Sequence, residues 1–192
     1  MTTSGPDRMP PIPAEKRTDA QKRAAEEFAD VRKQEVFGPF AALLRSPEVM
    51  LRAAAMGDYL RYRTVLPPTL NEFAIILTAR RWTQHYEWNL HAAIALKAGL
   101  SGDIVKAIAD GRRPDDMSDE EEIVHDLCTE LFRDESVSDA TYARAVARFG
   151  EQGVVELVGV AGYYTFLSFV MNTARTATEP NPAVPPLVRL TK

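Results

Sequence analysis

Gln84-His85-Tyr86-Glu87-Trp88-Asn89-Leu90-His91 is the stretch on which the reading of the fold turns, because its polar residues fall at helical spacing. At about 100° per residue, Gln84, Glu87, His91, Ala95 and Ala98 share one side of a helix, and His85, Asn89 and Lys97 lie roughly opposite. The second stripe suits water, so Glu87 and His91 are expected to face inward among Ile94, Ala95 and Ala98. Ionisable groups turned inward need compensation. Glu87 and His91 stand one helical turn apart, where a carboxylate orients an imidazole and raises its pKa, making a candidate proton-transfer pair. The same spacing also fits a buried Glu–His hydrogen bond that only closes a core.

Upstream, Thr69-Leu70-Asn71-Glu72 has the form of a capping box, with Glu72 reaching back to the backbone N–H of Thr69. Glu72 also projects beside Ile75, Ile76 and Ala79, which lets it face the same interior as Glu87 and His91. Working outward, prolines are absent between Pro68 and Pro114 and between Pro114 and Pro180, in sequence rich in Ala, Leu, Glu and Arg at helical spacing. The core is therefore expected to be all-α. Thr18 caps a first helix toward Val36, Phe37 to Leu44 is a short apolar segment, and Ser46-Pro47 starts a helix toward Tyr62. Val65-Leu66-Pro67-Pro68 ends that helix, and the next runs from Thr69 to about Arg80, bends over Arg81 to Gln84, and gives way to a helix stopping at Gly99. Ser101 caps a helix to Gly111, Ser118 and Glu121 cap one through Phe132, and Ser138 caps one that stops at Gly150. A long apolar helix follows.

The chain has 192 residues, enough for one core, with 45% hydrophobic and 26% charged residues. Residues 1–17 read as a flexible arm, 18–176 as a single helical domain, and 177–192, with Pro180, Pro182, Pro185 and Pro186, as an extended tail placed to lie on a neighbouring subunit. A net charge of -4 offers no basic footprint for nucleic acid. The single Cys128 rules out a disulfide framework and a cysteine-based zinc site within one chain, which fits a cytoplasmic location. Gly153 to Met171 is almost wholly apolar, yet Glu156 interrupts it and basic flanks are missing, so no membrane span is expected. Gly159 and Gly162 there would admit a close helix, and apolar residues around the whole circumference point to a homo-oligomer. The acidic run Asp115 to Glu122 reads as a solvated helix start, His125 as a surface histidine, and Cys128 as a small core or surface residue.

The chain carries Leu66-Pro67-Pro68, Glu72-Phe73-Ala74-Ile75-Ile76-Leu77, Glu87-Trp88-Asn89-Leu90-His91, Ala98-Gly99-Leu100-Ser101 and Gly162-Tyr163-Tyr164 in that order. In these residues the segment from about Ser46 to Arg175 resembles the carboxymuconolactone decarboxylase family, which shares its fold with the alkylhydroperoxidase D proteins. The resemblance implies an all-helical protomer with a central helical hairpin, assembled into trimers or hexamers. In the thiol peroxidase branch, Gln84 and Glu87 occupy the positions of a Cys-x-x-Cys pair, while Glu72 and His91 match its glutamate and histidine. This chain thus resembles the cysteine-less decarboxylase branch, whose reaction uses no metal or organic cofactor.

On that resemblance His91 is the expected proton donor, Glu87 sets its orientation and pKa, and Glu72 serves as a relay or support. Gln84, Arg80, Arg81 and Trp88 are the expected substrate contacts, with Arg80 or Arg81 holding a second carboxylate. The expected partner is a small-molecule carboxylate. Three other readings remain open: a catalytically silent binding protein, a peroxidase-type protein using Cys128, and a metal site built from Glu72, Glu87 and His91.

Overall fold

The computed structural model describes residues 5–188, and their regular structure is entirely helical. A 3-10 turn at Ala14–Lys16 precedes α1 (Asp19–Arg32), α2 (Pro39–Leu43), α3 (Pro47–Tyr62), α4 (Pro68–Arg81), α5 (His85–Lys97), α6 (Gly102–Ala109), α7 (Asp119–Asp134) and α8 (Asp139–Ala174). Local chemistry sets most of the boundaries. Thr18 with Gln21 and Ser118 with Glu121 form capping boxes, and Ser101 and Ser138 accept backbone N–H groups at the starts of α6 and α8. Pro39, Pro47 and Pro68 occupy first helical positions, where the missing N–H costs nothing. Within α8 the backbone leaves helical values at Gly150 (φ 69°, ψ 170°), a conformation nearly confined to glycine. The stop expected there is real, and the apolar helix resumes directly after it.

Helix α4 is the centre of the molecule: every residue from Leu70 to Arg80 is buried, and the helix packs most extensively against α5, then α8 and α7. Trp82, Thr83 and Gln84 join α4 to α5, and the Thr69 hydroxyl donates to the Ala98 carbonyl at 2.6 Å. The start of α4 thus meets the end of α5, and the two form an antiparallel hairpin. Against it, α8 supplies Leu157, Val160, Ala161, Tyr164, Leu167 and Met171 to the core.

Several expectations are corrected. The capping box at Thr69 is not formed: α4 begins a residue earlier behind Pro67, the Thr69 hydroxyl is spent on Ala98, and Glu72 turns inward. Helix α1 ends at Arg32, short of Val36, because Lys33 takes a left-handed conformation (φ 54°). His125 is buried rather than on the surface, with Nδ1 3.0 Å from the Arg113 guanidinium and Asp126 beside it. The tail lies on its own chain: the Trp88 indole donates to the Pro185 carbonyl (2.7 Å), Asn181 to the Asn89 carbonyl (2.8 Å), and Val184 and Leu187 are buried. Burial of those two apolar side chains favours docking over extension into solvent. In the arm, Arg8 N–H donates to the Ala174 carbonyl (2.6 Å) and Arg45 to the Pro10 carbonyl (2.8 Å). Residues 1–4 of the expected arm and 189–192 of the expected tail lie outside the described residues.

Helix α8 has the length and apolarity of a membrane span, yet 56% of its most apolar window is buried inside the protein. Gly57 on α3 sets the closeness of that helix to α8. A Cβ built there would stand 2.8 Å from Cζ of the buried Tyr163 ring. The ring is rigid and enclosed, so Gly57→Ala is expected to cost about 1–3 kcal/mol through overpacking, despite the better helix propensity of alanine. Urea unfolding checks this, and a variant as stable as wild type would refute it.

Candidate active site

The sequence places Glu87 and His91 on successive turns of α5, and the hairpin brings Glu72 of α4 to the other edge of the same imidazole. Nδ1 of His91 lies 2.6 Å from Oε2 of Glu72, and Nε2 lies 3.2 Å from Oε2 of Glu87. All three side chains are buried, His91 and Glu87 to 3% exposure. Tyr164 of α8 meets the imidazole edge-on, with ring centroids 5.0 Å apart. Among the described residues, no group of three or more such side chains is arranged to hold a metal ion, and both ring nitrogens of His91 are already aimed at carboxylates.

A ring with a carboxylate oxygen at each nitrogen satisfies both contacts only as an imidazolium, which has two N–H donors. Burial works against that charge, but the hydrogen bonds to Glu72 and then Glu87, with the attraction of both carboxylates, outweigh it and raise the His91 pKa above its ordinary value. The site holds a buried, oriented proton donor. Tyr164 is driven the opposite way in function: burial foremost, then the charge of Glu87, push its pKa far above the usual phenol range, so it stays a neutral hydroxyl.

Arg61, near the end of α3, is the member that the sequence does not reveal. Its Nη2 lies 3.9 Å from Oε1 of Glu72. Burial disfavours its charge, while Tyr164, Tyr62, Glu72 and Glu87 more than restore it. In the sequence Arg61 reads as an ordinary last-turn cation matched to the helix dipole, and nothing in its spacing points to Glu72.

The structure therefore gathers Glu72, Glu87 and His91, and gives the other four expected residues different partners. Gln84 caps α5, its Oε1 accepting from Tyr86 N–H (2.6 Å) and Glu87 N–H (3.3 Å), while its Nε2 donates to Asn172 (3.1 Å). Gln84 also lines a cleft of about 300 Å³ with Asp7, His85, Asn172 and Arg175. Arg80 donates to the Val188 carbonyl (2.9 Å), Arg81 to the Phe132 carbonyl (3.1 Å), and Trp88 is fully buried with its indole on Pro185. Cys128 lies on α7, completely buried, and burial pushes its thiol up to about 12.

A solved structure from Ralstonia eutropha JMP134, described as an alkylhydroperoxidase AhpD core and an uncharacterized peroxidase-related protein, superposes with a TM-score of 0.71 over 94% of this chain and 95% of that one. The fold is that of the alkylhydroperoxidase AhpD core. At 15% identity the likeness is one of architecture, and an AhpD-like core does not by itself transmit an activity. No protein-family model matches the sequence, and no curated protein matches it. Within the AhpD-like core of this chain, the chemistry must be read from the Glu72–His91–Glu87 group.

Proposed function

We propose that this protein is a cofactor-independent decarboxylase or related lyase acting on a small carboxylated lactone or conjugated acid. The observation that carries the reading is the imidazolium of His91 held between two carboxylates in a buried setting. In the proposed reaction the bond from substrate carbon to carboxylate breaks, its electron pair enters the conjugated system, and carbon dioxide leaves. An N–H of His91 then returns a proton to carbon, and the neutral imidazole is reprotonated from water. The 3.2 Å contact of Nε2 to Glu87 is looser than the 2.6 Å contact of Nδ1 to Glu72. Nε2 is accordingly the donor, and Glu72 fixes the ring.

The proposal extends to a cytoplasmic homo-oligomer, a trimer or hexamer. It is supported by the exposed Val155, Val158, Phe166 and Phe169 along one face of α8. A second reading, peroxide reduction, is favoured by the description of the Ralstonia eutropha structure as peroxidase-related. A thiol route in this chain would run through Cys128, whose buried thiol resists ionisation at neutral pH.

Carbon dioxide release from a panel of carboxylated lactones and conjugated acids tests the proposal, with wild type, His91→Ala, Glu87→Gln and Cys128→Ser. Release by wild type and Cys128→Ser, falling about 10²–10⁴-fold in His91→Ala, is the expected result. Peroxide turnover lost in Cys128→Ser would favour the second reading. No turnover of either kind by the folded proteins would reduce the triad to a core device of a binding protein.

A further inference from the structure

Where the amino-terminal arm crosses the end of α8, two opposite charges line one cleft without pairing. The cleft, of about 300 Å³, has Asp7 of the arm on one side, Gln84 and His85 at the start of α5 on another, and Met171, Asn172 and Arg175 from the end of α8. It lies two helical turns from the acid/base group along both helices, from Gln84 to His91 and from Met171 to Tyr164, or about 10 Å of helix.

Both charged groups are held in position. Met9 N–H donates to Oδ1 of Asp7 (2.8 Å), and the adjoining Arg8 fastens the arm through its N–H to the Ala174 carbonyl (2.6 Å). Arg175 ends α8 in a left-handed conformation (φ 58°), a place more often taken by glycine or asparagine, and its guanidinium lies against the backbone of Gly5. Among the described residues, neither Asp7 nor Arg175 has an ion-pair partner, although both line the same cleft. The wall between them is preformed and polar. Gln84, 4% exposed, donates from Nε2 to Oδ1 of Asn172 (3.1 Å), and Asn172 donates to the Trp82 carbonyl (3.0 Å). A primary amide has two N–H donors, so each of these side chains keeps one that no described residue takes up. Burial, foremost, lowers the His85 pKa, which leaves that imidazole neutral at neutral pH. The charges lining the cleft are then one negative and one positive.

We infer that this cleft is a binding site for a small zwitterion, an α-amino acid with an apolar side chain. Its carboxylate lies on the Arg175 fork, its ammonium on Asp7, and its side chain over Met171, Pro6 and Ala177. A lone anion would meet Asp7 and a lone cation would meet Arg175, whereas a zwitterion pairs both, and the planar guanidinium suits a carboxylate in particular. The volume is at the small end for ligand clefts, as a molecule of a few non-hydrogen atoms requires. The inference does not depend on the proposed reaction. It does place the ligand against Gln84, the cap of the helix that carries Glu87 and His91.

Nitrogen-15-labelled histidine provides the readout, since the chain has only three histidines, and the His85 signals are assigned by their loss in His85→Gln. L-leucine serves as the zwitterion, L-leucinamide as the cation without a carboxylate, and N-acetyl-L-leucine as the anion without an ammonium. L-leucine is expected to move the His85 signals saturably, and each single-charge analogue to bind about tenfold or more weakly. Arg175→Met is expected to weaken L-leucine by a similar factor and to leave L-leucinamide unweakened. Asp7→Asn is expected to weaken L-leucine and to leave N-acetyl-L-leucine unweakened. Equal affinity for all three probes in wild type, or no saturable response to L-leucine, would overturn the inference without recourse to any variant. So would an N-acetyl-L-leucine affinity matching that of L-leucine, which would make the cleft a plain anion site, and so would wild-type affinity for L-leucine in folded Arg175→Met or Asp7→Asn. Carbon dioxide release tests the proposed reaction separately, and its absence leaves these outcomes unchanged.

Discussion

His91→Ala is expected to destabilise the protein by about 3–5 kcal/mol, the largest loss from any single substitution in the site. Removing the imidazolium leaves Glu72 and Glu87 buried without the donor that both now face, and a buried charge stripped of its partner carries that order of penalty. Against a usual stability of about 5–15 kcal/mol the loss is severe. Arg61 compensates little, since it reaches only one oxygen of Glu72, and at 3.9 Å. Because the contribution of the imidazolium is fully present in acid and is lost from wild type as pH rises, the deficit measured by urea unfolding should be larger at pH 5 than at pH 8. An equal deficit at both pH values, or none at either, would mean that His91 is not the charged partner of Glu72 and Glu87.

The second large effect is a loss of stability on the alkaline side. The His91 pKa is raised in the folded protein: burial opposes the charge, but the contacts to Glu72 and Glu87 prevail. The unfolded chain titrates near the ordinary value of about 6.5. A group whose folded pKa exceeds its unfolded one contributes stability that is fully present below the unfolded value and disappears as pH rises through the folded value. Melting temperature should therefore fall with rising pH from about 6.5 upward, and the proton-donor activity should fall along the same limb. Glu72→Gln, which removes the shorter of the two carboxylate contacts, should move that limb to lower pH, and His91→Ala should abolish it. A wild-type melting temperature flat across this range would show that His91 is not charged in the native protein.

How much of this was legible beforehand depends on the range of the interaction concerned. Capping boxes at Thr18 and Ser118, proline at first helical positions and the stop at Gly150 are matters of a few adjacent residues, and the structure follows them. The inward pairing of Glu87 with His91 is equally local, since both stand on α5 one turn apart. Thr69 shows the limit of such reasoning. Its capping box was chemically plausible, but the hydroxyl found the Ala98 carbonyl across the hairpin, and a tertiary partner displaced the local one. His125 and the tail were misplaced for a related reason: their positions depend on Arg113 and Asp126 in one case and on Trp88, Asn89 and Arg80 in the other.

The sequence by itself determined the helical architecture, the order and most ends of the helices, and the Glu87–His91 pair, because backbone capping and one-turn spacing act between near neighbours. Only the tertiary structure decided that Glu72 takes the second edge of the imidazole, that Arg61 stands over it with a free donor, and that the tail closes on its own chain. Helix α4 is buried from Leu70 to Arg80, so it has no apolar stripe to announce which face meets which neighbour. The partner of each polar group along it was therefore chosen by the packing of distant helices, where the cost of leaving a buried charge unpaired is settled.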